Sequence, residues 1–492
     1  MYMRLSAFGR EPCFRKGFLN KLSVAKRKYV IIAISTMDEG ENSMQEERRI
    51  ALCKWIDKHF DLMDAVEKEI WAHPETGYKE WRTHAYVKQQ MEALGYRITE
   101  VGDIPGLMTE IDTGRPGPTV AVMAELDSIV NTSHPAHDPE TGAVHACCHH
   151  AQCAALMGIA AALKEEGALD GMSGRIRLMF VPAEELLELE YREELRQKGI
   201  IGYYGGKVEL MRRGFFDGVD ISLMLHTGGG KGIFTLSPGQ NGCICKRIAI
   251  TGKTSHAATP YNAINALYAA ETALAAVNAL RETFHDEDHI RVHPIITGKR
   301  GTVNNIPDLI TMESYIRGAS VEAMEDANRR VNRAFAGAAA ALGAQVHISD
   351  RPGYSPVYND INLYDTVKEV MTSLAGAENV KESKEWGTGC TDMGNLSCVM
   401  PALHPHGSGM HGHGHGDDCY VEDKHSALTL AAQFQLCTCE ALLCDNAVSA
   451  RRIIAEKHTL YPDIKTYLKA LDRQTADIDG VTYLEDGAKL YY

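Results

Sequence analysis

Apolar residues from position 52 onward recur at the spacing of one helix face, through Leu52, Ile56, Met63, Val66 and Ile70. This predicts a helix that ends at His73-Pro74-Glu75, because proline lacks the N–H a helix needs and crowds the preceding turn. Val87, Met91 and Leu94 predict a second helix, with Gly95 as its C-terminal cap. Continuous apolar runs at 119–124, 176–181 and 221–225 read as strands, with a helical stretch at 151–163 between the first two. Strands alternating with helices predict an α/β domain with a largely parallel sheet. In such sheets ligands bind beyond the carboxyl ends of the strands.

The pattern then changes. Ile248 and Ile250 alternate as in a half-buried strand, 262–280 is helical through Leu267, Leu274 and Val277, and 290–296 reads as a strand. Ile310, Met312, Ser314 and Ile316 alternate as another strand, 321–342 is a long Ala-rich helix, and 345–349 is a final strand. The order strand, helix, strand, strand, helix, strand is the ferredoxin-like arrangement. A unit of about 110 residues with its own core is expected to be an insertion into the first domain. After Pro356 the α/β character returns, through a Gly/His-rich loop at 407–418 and a helix at 427–443. The expected division is an α/β domain in two parts, 45–240 and 354–492, around an inserted α+β domain at 241–353.

With 492 residues the chain exceeds one ordinary core. Its 45% hydrophobic and 24% charged residues are those of a soluble globular protein. A net charge of -14 argues against a nucleic-acid partner, which needs a basic face. The 13 cysteines, odd in number and without repeated spacing, read as reduced thiols and so as a cytoplasmic protein. Basic residues from Arg4 to Lys28 precede a short apolar run at 29–34, too short to span a bilayer, and no later segment reads as a membrane span. Residues 1–44 are therefore expected to be a disordered extension, with Met37 or Met44 as an alternative start and a targeting peptide as the rival reading.

Candidate chemistry concentrates where strands end. His145-Ala146-Cys147-Cys148-His149-His150 lies between a strand and a helix, and Cys147 and His149 could share a metal ion of the zinc type. Pro182-Ala183-Glu184-Glu185 follows the strand at 176–181. Adjacent carboxylates there divide naturally into a metal ligand and a proton carrier, although acidic residues also favour a helix start. His226 ends a third strand, where a lone histidine is more often structural. Any of the five histidines His404, His406, His411, His413 and His415 in the late loop could be a ligand, or the tract could be a surface loop.

From about residue 45 onward these pieces resemble the di-metal aminoacylase and carboxypeptidase family of metallopeptidases, in its amidohydrolase branch. That branch includes hydrolases of indole-acetyl amino acids and of p-aminobenzoyl-glutamate. His73-Pro74-Glu75-Thr76-Gly77 resembles the opening His-Pro-Glu-x-Gly motif, and Ala124-Glu125-Leu126-Asp127 the end of an Arg-Ala-Asp-Met-Asp strand. His145–His149 is similar to His-Ala-Cys-Gly-His, and 182–185 to Pro-Ala-Glu-Glu. Gly252 through Pro260 resembles the Gly-x-x-x-His-Ala-x-x-Pro element of the family's dimerisation domain, with Thr302 through Pro307 and Ile316-Arg317 as further landmarks.

The resemblance implies a di-metal peptidase-like domain carrying an inserted dimerisation domain, and hence a homodimer. It implies two divalent ions per subunit, zinc or manganese, with Cys147 bridging them and His149, Glu185, His226 and His415 completing the shells. Glu184 would be the general base, and His256 from the other subunit would stabilise the oxyanion or substrate carboxylate. Asn304 and Arg317 would bind the substrate carboxylate, Arg317 in bidentate fashion. The substrate class implied is an N-acyl amino acid or an aminobenzoyl-glutamate-like small molecule, with dipeptide or carboxypeptidase cleavage second. A non-catalytic metal-binding relative is the rival class, and Glu184 argues against it. The chain departs from the family at Cys148, where Gly is usual, at His150, where Asp or Asn is usual, and at Glu125, where many relatives have Asp. Spacing leaves His413 and His415 as alternatives for the last ligand.

Overall fold

The computed structural model describes residues 41–229 and 232–492. The expected extension at 1–44 lies outside them, except for its last residues, which open the helix Glu41–Lys58. The first predicted helix is two, Glu41–Lys58 and Phe60–Trp71, separated at His59. The apolar stripe continues across this break, and Leu52, Ile56, Met63, Val66 and Ile70 are all buried. The helix Trp81–Ala93 follows, and Gly95 takes the left-handed φ of +79° that its capping position requires.

The main sheet has six strands in the order Thr99–Glu100, Leu107–Asp112, Arg175–Val181, Thr119–Glu125, Ile221–Leu223, Ala402–Leu403. The last four are mutually parallel, while the first two add antiparallel at the edge. Every residue of Thr119–Glu125 is buried, as expected of a strand covered on both faces. The helix His149–Ala162 is likewise buried along its whole length. This parallel arrangement carries Glu125, the 182–185 turn and the segment leading to His226 to one edge of the sheet.

The inserted unit is a second, antiparallel sheet. Gly242–Thr251 runs at its centre between Leu309–Gly318 and Gln345–Tyr354. The predicted strand at 290–296 is split into Arg291–Val292 and Ile295–Arg300, both paired with Leu309–Gly318. Helices Ala266–Leu280 and Val321–Ala341 bury Ala270, Ala273, Val277, Val331 and Phe335 against this sheet. Asn265 and Ser320 start them, each accepting backbone N–H bonds with its side chain. The chain's last strands also join this unit. Ala476–Asp479 pairs with Gln345–Tyr354, and the hairpin Val481–Leu484/Gly487–Leu490 buries Val481 in the same core. The periodicity of 354–492 had carried no sign of this crossing.

One correction concerns the late helix. His425–Ala455 is long and apolar enough to cross a membrane by length and composition, contrary to the expectation that no segment after residue 34 is. Its most apolar window is 89% buried inside the protein, which makes it a core helix of the main domain. The predicted end at 443 coincides with a kink, where Cys444 to Ala447 leave helical geometry.

Candidate metal centre

The segment 145–150 turns sharply between the strand Ala143–Val144 and the helix His149–Ala162. Cys148 sits at the turn with a φ of +64°. This left-handed conformation suits glycine and strains other residues, which accounts for the residue usual in the resembling family. The turn separates the neighbours. Cys148 is buried in a small apolar cluster with Ile129, Val144 and Cys419, whereas Cys147 only borders that cluster and has its thiol beside His226. His150 points away as well, 3.4 Å from Glu67 and packed on the ring of Trp71.

At the edge, Cys147 Sγ lies 3.4 Å from His226 Nε2. His415 Nε2 lies 3.0 Å from Glu185 Oε1. Donor atoms of Cys147, His149 and His226 fall within 4.8 Å of one another, and so do those of Cys147, Glu185 and His415. The thiol is therefore common to two groups of three donors. A third group, Glu125, His149 and Glu184, adjoins them. Of the late loop's histidines it is His415 that joins the cluster. Its backbone N–H donates to Ala146 O at 2.7 Å, while the His413 side chain is 92% exposed. His404 and His406 pack their rings around His226, and His411 stacks on Tyr420.

Asp127 organises this edge, a role that its place in the quoted strand end only hinted at. One carboxylate oxygen accepts from the Glu185 backbone N–H at 2.7 Å. The other lies 3.2 Å from His149 Nδ1, which is also 3.0 Å from Asp127 O. With Nδ1 so engaged, His149 offers Nε2 to a ligand. The turn carrying Glu184 and Glu185 is strained at Ala183, with a φ of +56°. It is held by Glu80 Oε1, which accepts from Ala183 N at 2.7 Å, and by the Tyr354 hydroxyl, which donates to Glu184 O.

The electrostatics are those of a site built for cations. Burial and the Glu185 carboxylate oppose ionisation of Cys147, yet His149 and His226 bring its thiol down to about 6. Burial works against Glu185 too, but His415 holds its carboxyl down to about 2. His415 is correspondingly raised to about 11 by Glu185 and Cys147. Glu184 differs from its neighbour: burial, then Glu125 and Glu185, push its carboxyl well above the usual range. Among the described residues, His149 Nε2 and Glu185 Oε1 are buried and make no well-aligned hydrogen bond, although Glu125 and His415 lie 3.1 and 3.0 Å from them. A soft thiolate, imidazoles and carboxylates converging with unsatisfied atoms fit divalent ions of the zinc and manganese kind.

Two buried charges here had no sequence signal. Lys207 is fully buried, 2.6 Å from Glu125 Oε1 and paired also with Asp392. Among the predicted substrate-binding residues, Arg317 is half-buried on Leu309–Gly318, where Cys390, Cys243 and Glu185 contribute to its surrounding field. His256 and Asn304 lie together on exposed loops of the inserted unit, joined through Ala257 N donating to Asn304 O at 3.0 Å. Among the described residues neither is hydrogen-bonded to the donor cluster.

This fold and donor set define a metallopeptidase-type hydrolase. The profile described as Peptidase family M20/M25/M40 matches residues 121–438, about two thirds of the chain, and the protein belongs to that family. It is accordingly a hydrolase of carbon–nitrogen amide bonds. The IAA-amino acid hydrolase ILR1-like 4 of Arabidopsis thaliana is 25% identical over 66% of this chain and 72% of its own. The Xaa-Arg dipeptidase of Mus musculus is 27% identical over 71% of this chain and 77% of its own. The crystal structure of the YXEP protein of Bacillus subtilis, described as a dinuclear metal binding peptidase, superposes with a TM-score of 0.58. The match covers 80% of this chain and 100% of that one at 20% identity, and it shares the fold.

Proposed function

We propose that this protein hydrolyses the amide bond of an N-acyl amino acid or an aminobenzoyl-glutamate-like small molecule, using two divalent ions per subunit. The observation that carries the reading is the shared thiol: Cys147 belongs to both donor groups, with Glu184 beside them. Cys147, His149 and His226 would hold one ion, and Cys147, Glu185 and His415 the other. Bound divalent ions supply Lewis acidity, which makes water acidic near neutral pH and polarises a carbonyl.

The remaining steps belong to side chains. Glu184 accepts the proton of the attacking water at its carboxylate and returns it to the leaving amine. Burial keeps that carboxyl ready to carry a proton, whereas Glu185 stays ionised. Arg317 would take the substrate carboxylate. His256 of the partner subunit, and Asn304 beside it, would close the site in a homodimer, which their exposure within one chain supports. The twelve cysteines among the described residues are all unpaired, which supports a reducing, cytoplasmic setting.

The plant relative named for IAA-amino acids supports an acylated amino acid as substrate. The dipeptidase relative supports dipeptides as the second reading. The test is a panel of N-acyl amino acids, p-aminobenzoyl-glutamate and dipeptides, each assayed with zinc and with manganese. Preferential cleavage of the acyl compounds is expected. Turnover of dipeptides alone would replace the proposal with the second reading, and no turnover by protein carrying two ions would refute both.

A further inference from the structure

The segment that carries Glu184 and Glu185 lies outside helix and strand, and side chains hold its main chain. Every carbonyl from Ala183 to Leu187 accepts from one. Tyr354 and Tyr315, on strands of the inserted unit, donate their hydroxyls to Glu184 O and Leu186 O. Arg192, on the helix Leu189–Gln197 that follows the segment, takes the rest. Its Nε donates to Leu187 O at 2.9 Å, Nη1 to Ala183 O at 3.3 Å, and Nη2 to Glu185 O. Nη1 also donates to Tyr204 O.

Arg192 is 1% exposed, and among the described residues its hydrogen bonds all go to main-chain carbonyls, none to a carboxylate. Burying a charge without an opposite charge to pair with it costs stability, so cohesion alone does not account for this side chain. What a guanidinium offers is geometry: a planar fork of donors fixed relative to one another. Here the fork gathers carbonyls two residues apart from a strained segment. Ala183 and Glu188 both take left-handed φ values, +56° and +52°, which persist where the surroundings over-determine the backbone. The sequence leaves room for the fork, since a Cβ on Gly77 would stand 2.3 Å from Nη2. We propose that Arg192 is a positioning residue for the reaction, holding the main chain of 183–187 so that the Glu184 and Glu185 carboxylates meet the donor cluster in one fixed geometry. The inference rests on the roles given to those two residues above.

Full-length Arg192→Met and Arg192→Lys are compared with wild type by two readouts. The first is amide hydrogen exchange of the metal-free protein. Losing even one hydrogen bond to a charged group loosens a segment by more than roughly tenfold. Peptides spanning 183–188 should therefore exchange at least about tenfold faster in Arg192→Met, while the helix His149–Ala162 stays as in wild type. The second readout is turnover of an N-acyl amino acid at saturating zinc. The kcat per ion-loaded chain should fall roughly 100-fold, the cost of about 1 Å of misplacement, with KM little changed. Lys keeps the charge, but one ammonium cannot span the fork, so Arg192→Lys should fall between. It decides the matter if Arg192→Met does not fold. A merely structural arginine would lower the melting temperature and the folded fraction and leave kcat per loaded chain unchanged. Wild-type kcat, or wild-type exchange at 183–188, in a folded variant would overturn the proposal. Wild type that carries ions yet cleaves no amide would overturn the functional reading instead, and exchange would still decide whether Arg192 holds the segment.

Discussion

Replacing Glu184 by Gln keeps the shape of the side chain and removes its ability to accept a proton. The nearest positive partner, His149 Nε2, is 4.0 Å away, so no close ion pair is lost. The carboxyl is buried, and that burial with the Glu125 and Glu185 charges raises its pKa well above the usual range. A raised folded-state pKa means that metal-free protein is favoured below the unfolded value and loses that stability as pH climbs through the folded one. Gln does not titrate, so metal-free Glu184→Gln should be the more stable protein at pH 8, with the difference shrinking toward pH 4. Turnover should fall roughly a hundredfold to ten-thousandfold, the usual contribution of a general base. That corresponds to about 3–5.5 kcal/mol of barrier at about 1.4 kcal/mol per decade. Metal content should survive. Glu185→Gln should behave oppositely: its carboxyl, held down to about 2 by His415, is the one that stays charged against a cation. Elemental analysis, a turnover assay on a good N-acyl substrate and urea denaturation at two pH values separate the cases. Near-full activity of Glu184→Gln, or metal loss equal to that of Glu185→Gln, would refute the division of roles.

Cys147→Ser should lose metal and activity together, since a neutral hydroxyl replaces the thiolate common to both donor groups, and elemental analysis with an activity assay checks it. Cys148→Gly should keep both ions and most activity. It relieves about 1–2 kcal/mol of left-handed strain but loses a buried side chain worth a similar amount, so thermal melting should change little. Metal loss in that variant would mean that Cys148 is a ligand. Mixing Glu184→Gln with His256→Ala should partly restore activity after subunit exchange, because one site of the heterodimer has its own Glu184 and its partner's His256. Absence of rescue, with exchange verified, would place His256 outside the partner's site.

The sequence by itself determined the elements and the order of the chemistry. Apolar spacing located the strands at 119–124, 176–181 and 221–225 to within a few residues, and the order of elements from 241 to 353 predicted the antiparallel unit. Those signals are local: which face of an element is buried is written in its own neighbouring residues. It was equally local that Cys147, His149, Glu184 and Glu185 follow strand or turn signals near strand ends. Only the tertiary structure decided which of two histidines two residues apart joins the cluster, because the backbone bond from His415 to Ala146 and its left-handed φ are properties of the folded loop. It alone directed Cys148 away from Cys147, through a positive φ. Lys207 and Asp392 are 185 residues apart and carry no pattern of their own, yet a buried ammonium must find carboxylates. The strand Ala476–Asp479 reads alone as a short polar tail. It became part of the inserted sheet because the open edge of Gln345–Tyr354 offered unpaired backbone groups, and Arg351 met Asp477 there at 2.9 Å.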